Sequence, residues 1–178
     1  MTTFMKPDDY VPTGLLCLPP ALPAVMFGLG DFKPYDTGLR TQVCVERPGC
    51  CPKRQSAGAA GFDLLAIEDV IVPARGSAIV DTGVSLALPA GHYGRVTGRS
   101  SLAFKYDVTA FEGTIDEDYR SSIKVKLFNH SDTTFKTGAL SRIAQLIVQP
   151  VVAPRFDVVK ILPDTDRGVR GFGSTDSI

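Results

Sequence analysis

The sequence predicts an all-β domain, a sandwich or barrel of the jelly-roll kind. Three observations predict it. From residue 41 onward, short runs rich in β-branched residues alternate with Gly, Pro, Asp and Asn. The runs recur about every ten residues, a spacing that suits antiparallel strands joined by turns. Within SIKVKLF the alternation has period two: Ile123, Val125 and Leu127 fall on one face, Lys124 and Lys126 on the other.

In chain order the predicted strands are TQVCVE, GFDLLAI, DVIVP, SAIVDT, VSLALP, HYGRVT, DVTAF, GTID, SSIKVKLFN, RIAQLIVQP and RFDVVKI. Only SSLAFKY, residues 100–106, reads as helix, with Ser100 or Ser101 as its cap. No internal repeat or low-complexity tract interrupts the pattern. The organisation is an N-terminal arm (1–38), an all-β domain (39–163) and a Gly-rich tail (164–178). The apolar stretch GLLCLPPALPAVMFGLG in the arm is broken by Pro19, Pro20 and Pro23, and Asp8 and Asp9 precede it where a secretory signal carries positive charge. It is read as an extended arm packing on a folded surface, not as a membrane span.

Composition narrows the function classes. The chain of 178 residues carries 19 Lys plus Arg and 19 Asp plus Glu, so no net field recruits nucleic acid or an anionic membrane. Any polyanion site must be a local cluster. The four cysteines form no C-x-x-C pair and the two histidines, His92 and His130, are far apart, which argues against a zinc site. The vicinal Cys50-Cys51 pair reads as exposed reduced thiols of an intracellular protein, in the cytoplasm or nucleus, with a bridge left open.

Four segments hold chemistry. In GRSSLAF an arginine precedes a serine pair at the start of a short helix, where unpaired N–H groups favour an anion. Arg99 would fork onto phosphate oxygens and Ser100 would donate its hydroxyl; a capped helix with a surface arginine is the structural alternative. GTIDEDYR places Asp116 after Ile115, either as a partly buried general base for water or as part of an acidic turn. Asp63 is a lone acid in the apolar strand AGAAGFDLLA and must be paired, hydrogen-bonded or near a metal. The tail RGVRGFGSTD offers Arg167, glycine backbone, the hydroxyls of Ser174 and Thr175 and the ring of Phe172, an inventory that would cradle phosphate and stack on a base, or else a disordered terminus.

Taken in order, these segments resemble the five motifs of the trimeric, all-β dUTP pyrophosphatase (dUTPase) family. AGFDL resembles the first, GRSSLA the second, GTIDEDYRSS the third, GALSRIAQLI the fourth and RGVRGFGSTD the fifth, over residues 57–176. The arm and the irregular motifs also fit a viral member, such as an adenoviral one. The resemblance implies a distorted jelly-roll (β-clip) barrel, a homotrimer with active sites shared between chains, and Mg²⁺-dependent hydrolysis of dUTP to dUMP and pyrophosphate.

It further implies that Arg99, Ser100, Ser101 and Gln145 hold the polyphosphate, that Asp116 polarises the attacking water, and that Asp63 reaches Mg²⁺ through water. Arg167, Gly173, Ser174 and Thr175 would close on the γ-phosphate while Phe172 stacks on uracil. Tyr119 would lie against the deoxyribose, and the backbone of Gly113, Thr114 and Ile115 would read the uracil edge.

Departures accompany the matches. Ser101 and Ser121 stand where the family has glycine, Arg170 and Asp176 replace tail glycines, and Gly138-Ala139-Leu140-Ser141 is one residue longer than usual, without the acid before Arg142. A second function stays open beside the enzyme: a binding protein on the same fold, acting through the arm or through a C-terminal TDSI that loosely resembles a PDZ ligand. Neither reading involves direct contact with nucleic acid or membrane.

Overall fold

The computed structural model describes residues 38–166, 168 and 169. The elements run β1 (Gln42–Val45), β2 (Phe62–Leu65), β3 (Val70–Val72), β4 (Ser77–Asp81), β5 (Val84–Ala87), β6 (His92–Thr97), α1 (Ser100–Tyr106), β7 (Val108–Ala110), β8 (Gly113–Ile115), β9 (Lys124–Asn129), β10 (Phe135–Thr137) and β11 (Arg142–Pro150). They pair into four antiparallel sheets: β1-β5, β10-β3, β2-β11-β6-β8 and β4-β9-β7. The all-β reading holds, with α1 as its single helix among the described residues.

The core forms where the period-two faces meet. Ile123, Val125 and Leu127 are buried while Lys124 and Lys126 are exposed, as the alternation in SIKVKLF requires. Leu64, Ala144, Leu146 and Val96 line the inner face of the four-stranded sheet, and Val72, Val84, Val108 and Ile143 fill the space between sheets. Buried Asn129 ties the turn after β9 together: its amide donates to the Val72 and Thr133 carbonyls at 3.1 and 2.8 Å, and its Oδ1 accepts from Ser131 N at 3.0 Å. Leu102 is the buried anchor of α1.

Four expectations change. RFDVVKI is not a strand: residues 151–159 have no ladder, and Phe156, Val158 and Ile161 project into solvent. Its apolar pattern is genuine, but a strand needs a neighbour and none pairs with it among the described residues. FKT, by contrast, forms β10 against β3 despite its brevity and its lysine. The cap of α1 is Arg99, with no side-chain cap bond, and Ser100 and Ser101 lie inside the first turn. Cys50 is fully buried, not exposed, and burial pushes its thiol pKa up; Cys44 and Cys51 are exposed, and all three are free.

Candidate active site

The sheet β2-β11-β6-β8 has a polar face opposite its core face. Gln145 of β11 pairs with Asp63 of β2 on one side and with Thr97 of β6 on the other, so the three side chains share that face. The close approach needs Gly61, because a Cβ there would stand 3.1 Å from Gln145 Cβ and 3.3 Å from Ile147 Cγ1.

Asp63 is 2% exposed and has two cationic partners. Arg142 Nη1 lies 3.5 Å from Oδ2, and Arg99 Nε lies 3.3 Å from Oδ1 but off the hydrogen-bond direction, so Oδ1 has no hydrogen-bond partner. Arg99 Nη1 donates to the Arg142 carbonyl at 2.9 Å. A buried carboxylate requires such partners, and two guanidinium groups around one carboxylate leave a net positive charge. That excess sits beside the first turn of α1, where Ser100 is exposed and Ser101 half-buried. Arg99 does not offer its whole fork to a ligand, since Nε faces Asp63 and Nη1 is bonded.

The lengthened fourth-motif loop is well held. Ala139 N donates to Asp69 Oδ1 at 2.8 Å, Leu140 N to the Ala66 carbonyl at 2.8 Å, and Thr137 Oγ1 to Ser141 Oγ at 2.7 Å. Asp69 thus holds the loop, and Arg142 finds its carboxylate in Asp63. Leu140 takes the left-handed conformation, φ 61°, that the extra residue demands.

The second half of the candidate site lies elsewhere. Strand β8 carries Gly113, Thr114 and Ile115 and pairs with β6 through Val96↔Gly113, Arg95↔Thr114 and Gly94↔Ile115. Asp116 and Tyr119 follow in a turn closed by Tyr119 N donating to the Asp116 carbonyl at 3.1 Å. Asp116 is exposed, contrary to the partly buried carboxylate expected for a base. Extending the register places Asp116 level with Tyr93, toward the opposite end of β6 from Thr97, after which Gly98 leads to Arg99 at the cap of α1. Four residues of β6 at about 3.3 Å each put roughly 13 Å between these two levels of the sheet. Within one chain the structure therefore unites Asp63, Arg99, Ser100, Ser101 and Gln145, and separately Gly113, Thr114, Ile115, Asp116 and Tyr119, without joining the groups. Arg167, Phe172, Gly173, Ser174, Thr175, the TDSI terminus and the arm lie outside the described residues.

Sequence reasoning missed Arg142 as a partner of Asp63, as well as the Glu112–Arg95 pair beside β8. Arg95 Nη2 contacts both Glu112 oxygens, at 2.8 and 3.0 Å, and Thr97 Oγ1 donates to Glu112 at 3.2 Å. The Arg95 hydrogen bond, then its charge, hold the Glu112 carboxyl below the usual carboxylate range. Among the described residues no group of three or more His, Cys, Asp or Glu side chains could hold a metal.

Two guanidinium groups around one buried carboxylate, beside exposed Ser100, form a local cationic cluster in an all-β domain, a setting that suits a phosphate-bearing ligand. Residues 47–176 match the dUTPase family, and the chain belongs to it. It is 48% identical over 124 residues to the deoxyuridine 5'-triphosphate nucleotidohydrolase of Paramecium bursaria Chlorella virus 1, covering 70% of this chain and 88% of that protein. The enzyme of the same name from Fowl adenovirus A serotype 1 is 44% identical, over 70% of each chain. The dUTPase of Staphylococcus bacteriophage 80alpha, solved with dUPNHPP, shares the fold at a TM-score of 0.72 and 24% identity, over 78% of this chain and 99% of that one.

Proposed function

We propose that the protein hydrolyses dUTP to dUMP and pyrophosphate, limiting uracil in DNA and supplying dUMP. The observation that carries this is the pairing of family membership with an intact set of chemical groups: Asp63, Arg99, Ser100, Asp116, Tyr119, Gln145, Arg167 and Phe172 are all present. Asp116 accepts a proton from water as its oxygen attacks the α-phosphorus. The bond from that phosphorus to the bridging oxygen breaks, and pyrophosphate leaves.

Arg99, through its remaining nitrogens, the first-turn serines and Gln145 bind the polyphosphate. Tyr119 lies against the deoxyribose, where a 2′-hydroxyl would not fit, and the β8 backbone reads uracil by hydrogen bonds that cytosine leaves unmatched. Arg167, Gly173, Ser174 and Thr175 close on the γ-phosphate and Phe172 covers the base, excluding bulk water.

Asp63 would reach Mg²⁺ through a water at Oδ1, which lacks a hydrogen-bond partner although Arg99 Nε lies 3.3 Å from it. With one such carboxylate, Asp63 would hold the ion only indirectly, and a bound Mg²⁺ would supply charge neutralisation to the polyphosphate.

The placement of Arg99 and Asp116 toward opposite ends of β6 supports a site completed by a neighbouring copy. A head-to-tail interface that closes after three copies gives a homotrimer in which every site has both halves. The exposed apolar segment from Val151 to Leu162 supplies surface for such an assembly. The protein is assigned to the cytoplasm or nucleus; among the described residues no helix is long and apolar enough to cross a membrane.

The test is pyrophosphate release from dUTP, dTTP, dCTP and UTP, each supplied separately with Mg²⁺. Release from dUTP alone is expected, and release from none by a folded trimer overturns the reading. Truncation before Arg167 is expected to abolish hydrolysis with the β-domain still folded. Full activity after truncation removes the tail from the site.

A further inference from the structure

Residues 116–123 join β8 to β9 without belonging to a ladder, yet they carry Asp116 and Tyr119. Ser122 on Asp81 and Ile123 on the Thr82 and Val84 backbone anchor the far end of this connection, and two side chains given no role above hold the Tyr119 turn itself. Glu117 Oε2 accepts a hydrogen bond from Gly91 N at 2.7 Å, tying the turn to the β5–β6 connection. Gly91 has φ 69°, a conformation suited to glycine, and this backbone turn aims its N–H. From the other side, Arg120 Nη1 donates to the carbonyls of Glu117 at 2.6 Å and Tyr119 at 2.9 Å, which bind the turn to itself, and lies 3.5 Å from the Leu86 carbonyl of β5, a marginal contact.

Tyr119 is thereby fixed at three points: its N–H on the Asp116 carbonyl, its own carbonyl on Arg120, and its hydroxyl donating to the Ser122 carbonyl at 3.1 Å. A ring that is to exclude one hydroxyl from a sugar must be held to well under the size of that hydroxyl. The turn's own backbone bond leaves its tilt against the sheet free; the anchors at Ser122 and Ile123 hold its exit, the Glu117–Gly91 bond holds its start, and Arg120 stiffens the stretch between them.

The geometry points to Glu117 and Arg120 as positioning residues that set the choice of deoxyribose over ribose by stiffening the Tyr119 turn and clamping it to the β5–β6 connection. This rests on the proposed dUTPase activity. Both act through Tyr119 and touch no reacting atom. Gly91 N needs only an acceptor, so a glutamine at 117 serves as well as glutamate. The carbonyl cluster needs a multivalent donor, which lysine supplies in part and methionine does not.

The experiment measures kcat/KM for dUTP and for UTP with Mg²⁺ on the full-length wild type and on Glu117→Ala, Glu117→Gln, Arg120→Met and Arg120→Lys, together with binding of dUPNHPP. The expected result for Glu117→Ala and Arg120→Met is a fall of about tenfold in dUTP kcat/KM, with a smaller fall for UTP, so the preference for dUTP narrows several-fold. Glu117→Gln recovers wild-type discrimination and Arg120→Lys recovers part of it. Two outcomes overturn the inference: dUTP and UTP falling by the same factor, which marks a general structural effect, or Glu117→Gln failing as fully as Glu117→Ala. Should a truncating variant not assemble, the Gln and Lys variants alone decide, since wild-type-like discrimination in Glu117→Gln is required. A wild type that hydrolyses neither nucleotide removes the dUTPase reading itself, a result distinct from unchanged discrimination in the variants.

Discussion

The two ends of the β6–β8 ladder hold their polar groups by different means. At the Arg99 end a buried carboxylate is clasped by two guanidinium groups inside a four-stranded sheet. At the Asp116 end an exposed turn is held by hydrogen bonds to backbone and by one glutamate. The first arrangement ties stability to charge, so it cannot be altered without loosening the domain. The second can change at little cost to the fold, and its consequences appear in turnover.

Substitutions can break this contrast. Asp63→Ala leaves Arg99 and Arg142 without their shared counter-ion. Breaking a buried pair typically costs ~3–5 kcal/mol, and half-exposed Arg142 can rehydrate, so a loss of about 3 kcal/mol is expected in denaturant unfolding. A loss within experimental error would show that the carboxylate carries no structural charge. Asp116→Asn should leave the unfolding curve in place and cut turnover by at least ~10²-fold. A near-normal rate rules Asp116 out as the base.

The ladder's length sharpens the contrast into a test of shared sites. Arg99→Gln and Asp116→Asn are each expected to be inactive, yet the two proteins, unfolded together and reassembled at equal amounts, should regain about one quarter of wild-type activity. Each restored site takes Arg99 from one chain and Asp116 from another. No recovery, with mixed trimers demonstrated, would place both residues in one chain's site.

The smallest effect belongs to the exposed Glu112–Arg95 pair. Because the folded carboxyl is held below its usual range, its contribution is present above the unfolded value and is lost as pH falls through the folded one. The melting temperatures of wild type and Glu112→Gln should converge toward acid pH, and a pH-independent gap would refute the assignment.

Legibility from sequence followed the range of the interaction. Strand β9 was readable because its burial pattern is local, in the alternation of Ile123, Val125 and Leu127 with two lysines. Asp63 could be recognised as an acid in need of partners, but Arg142 lies 79 residues away and only the β2–β11 register brings it near. RFDVVKI misled because period two records apolar spacing and says nothing about a neighbouring strand in the same chain. Cys50 read as a loop thiol since no flanking pattern marks its burial. The tethers of Glu117 and Arg120 end on carbonyls and an N–H, groups that every residue carries and that leave no trace in side-chain identity.

The segment beyond β11 sets a constraint on biogenesis. Val151, Val152, Phe156, Val158, Val159, Ile161 and Leu162 are all exposed in the isolated subunit. During synthesis they leave the ribosome only after the last strand, β11, so the barrel can close before its adhesive surface exists. If the proposed trimer forms, each chain is a target for chaperones and for off-pathway aggregation between release and assembly, a hazard that grows with expression rate. Solubility during overproduction should therefore depend on how fast subunits meet, and the same fold lacking this segment should be the easier one to keep in solution.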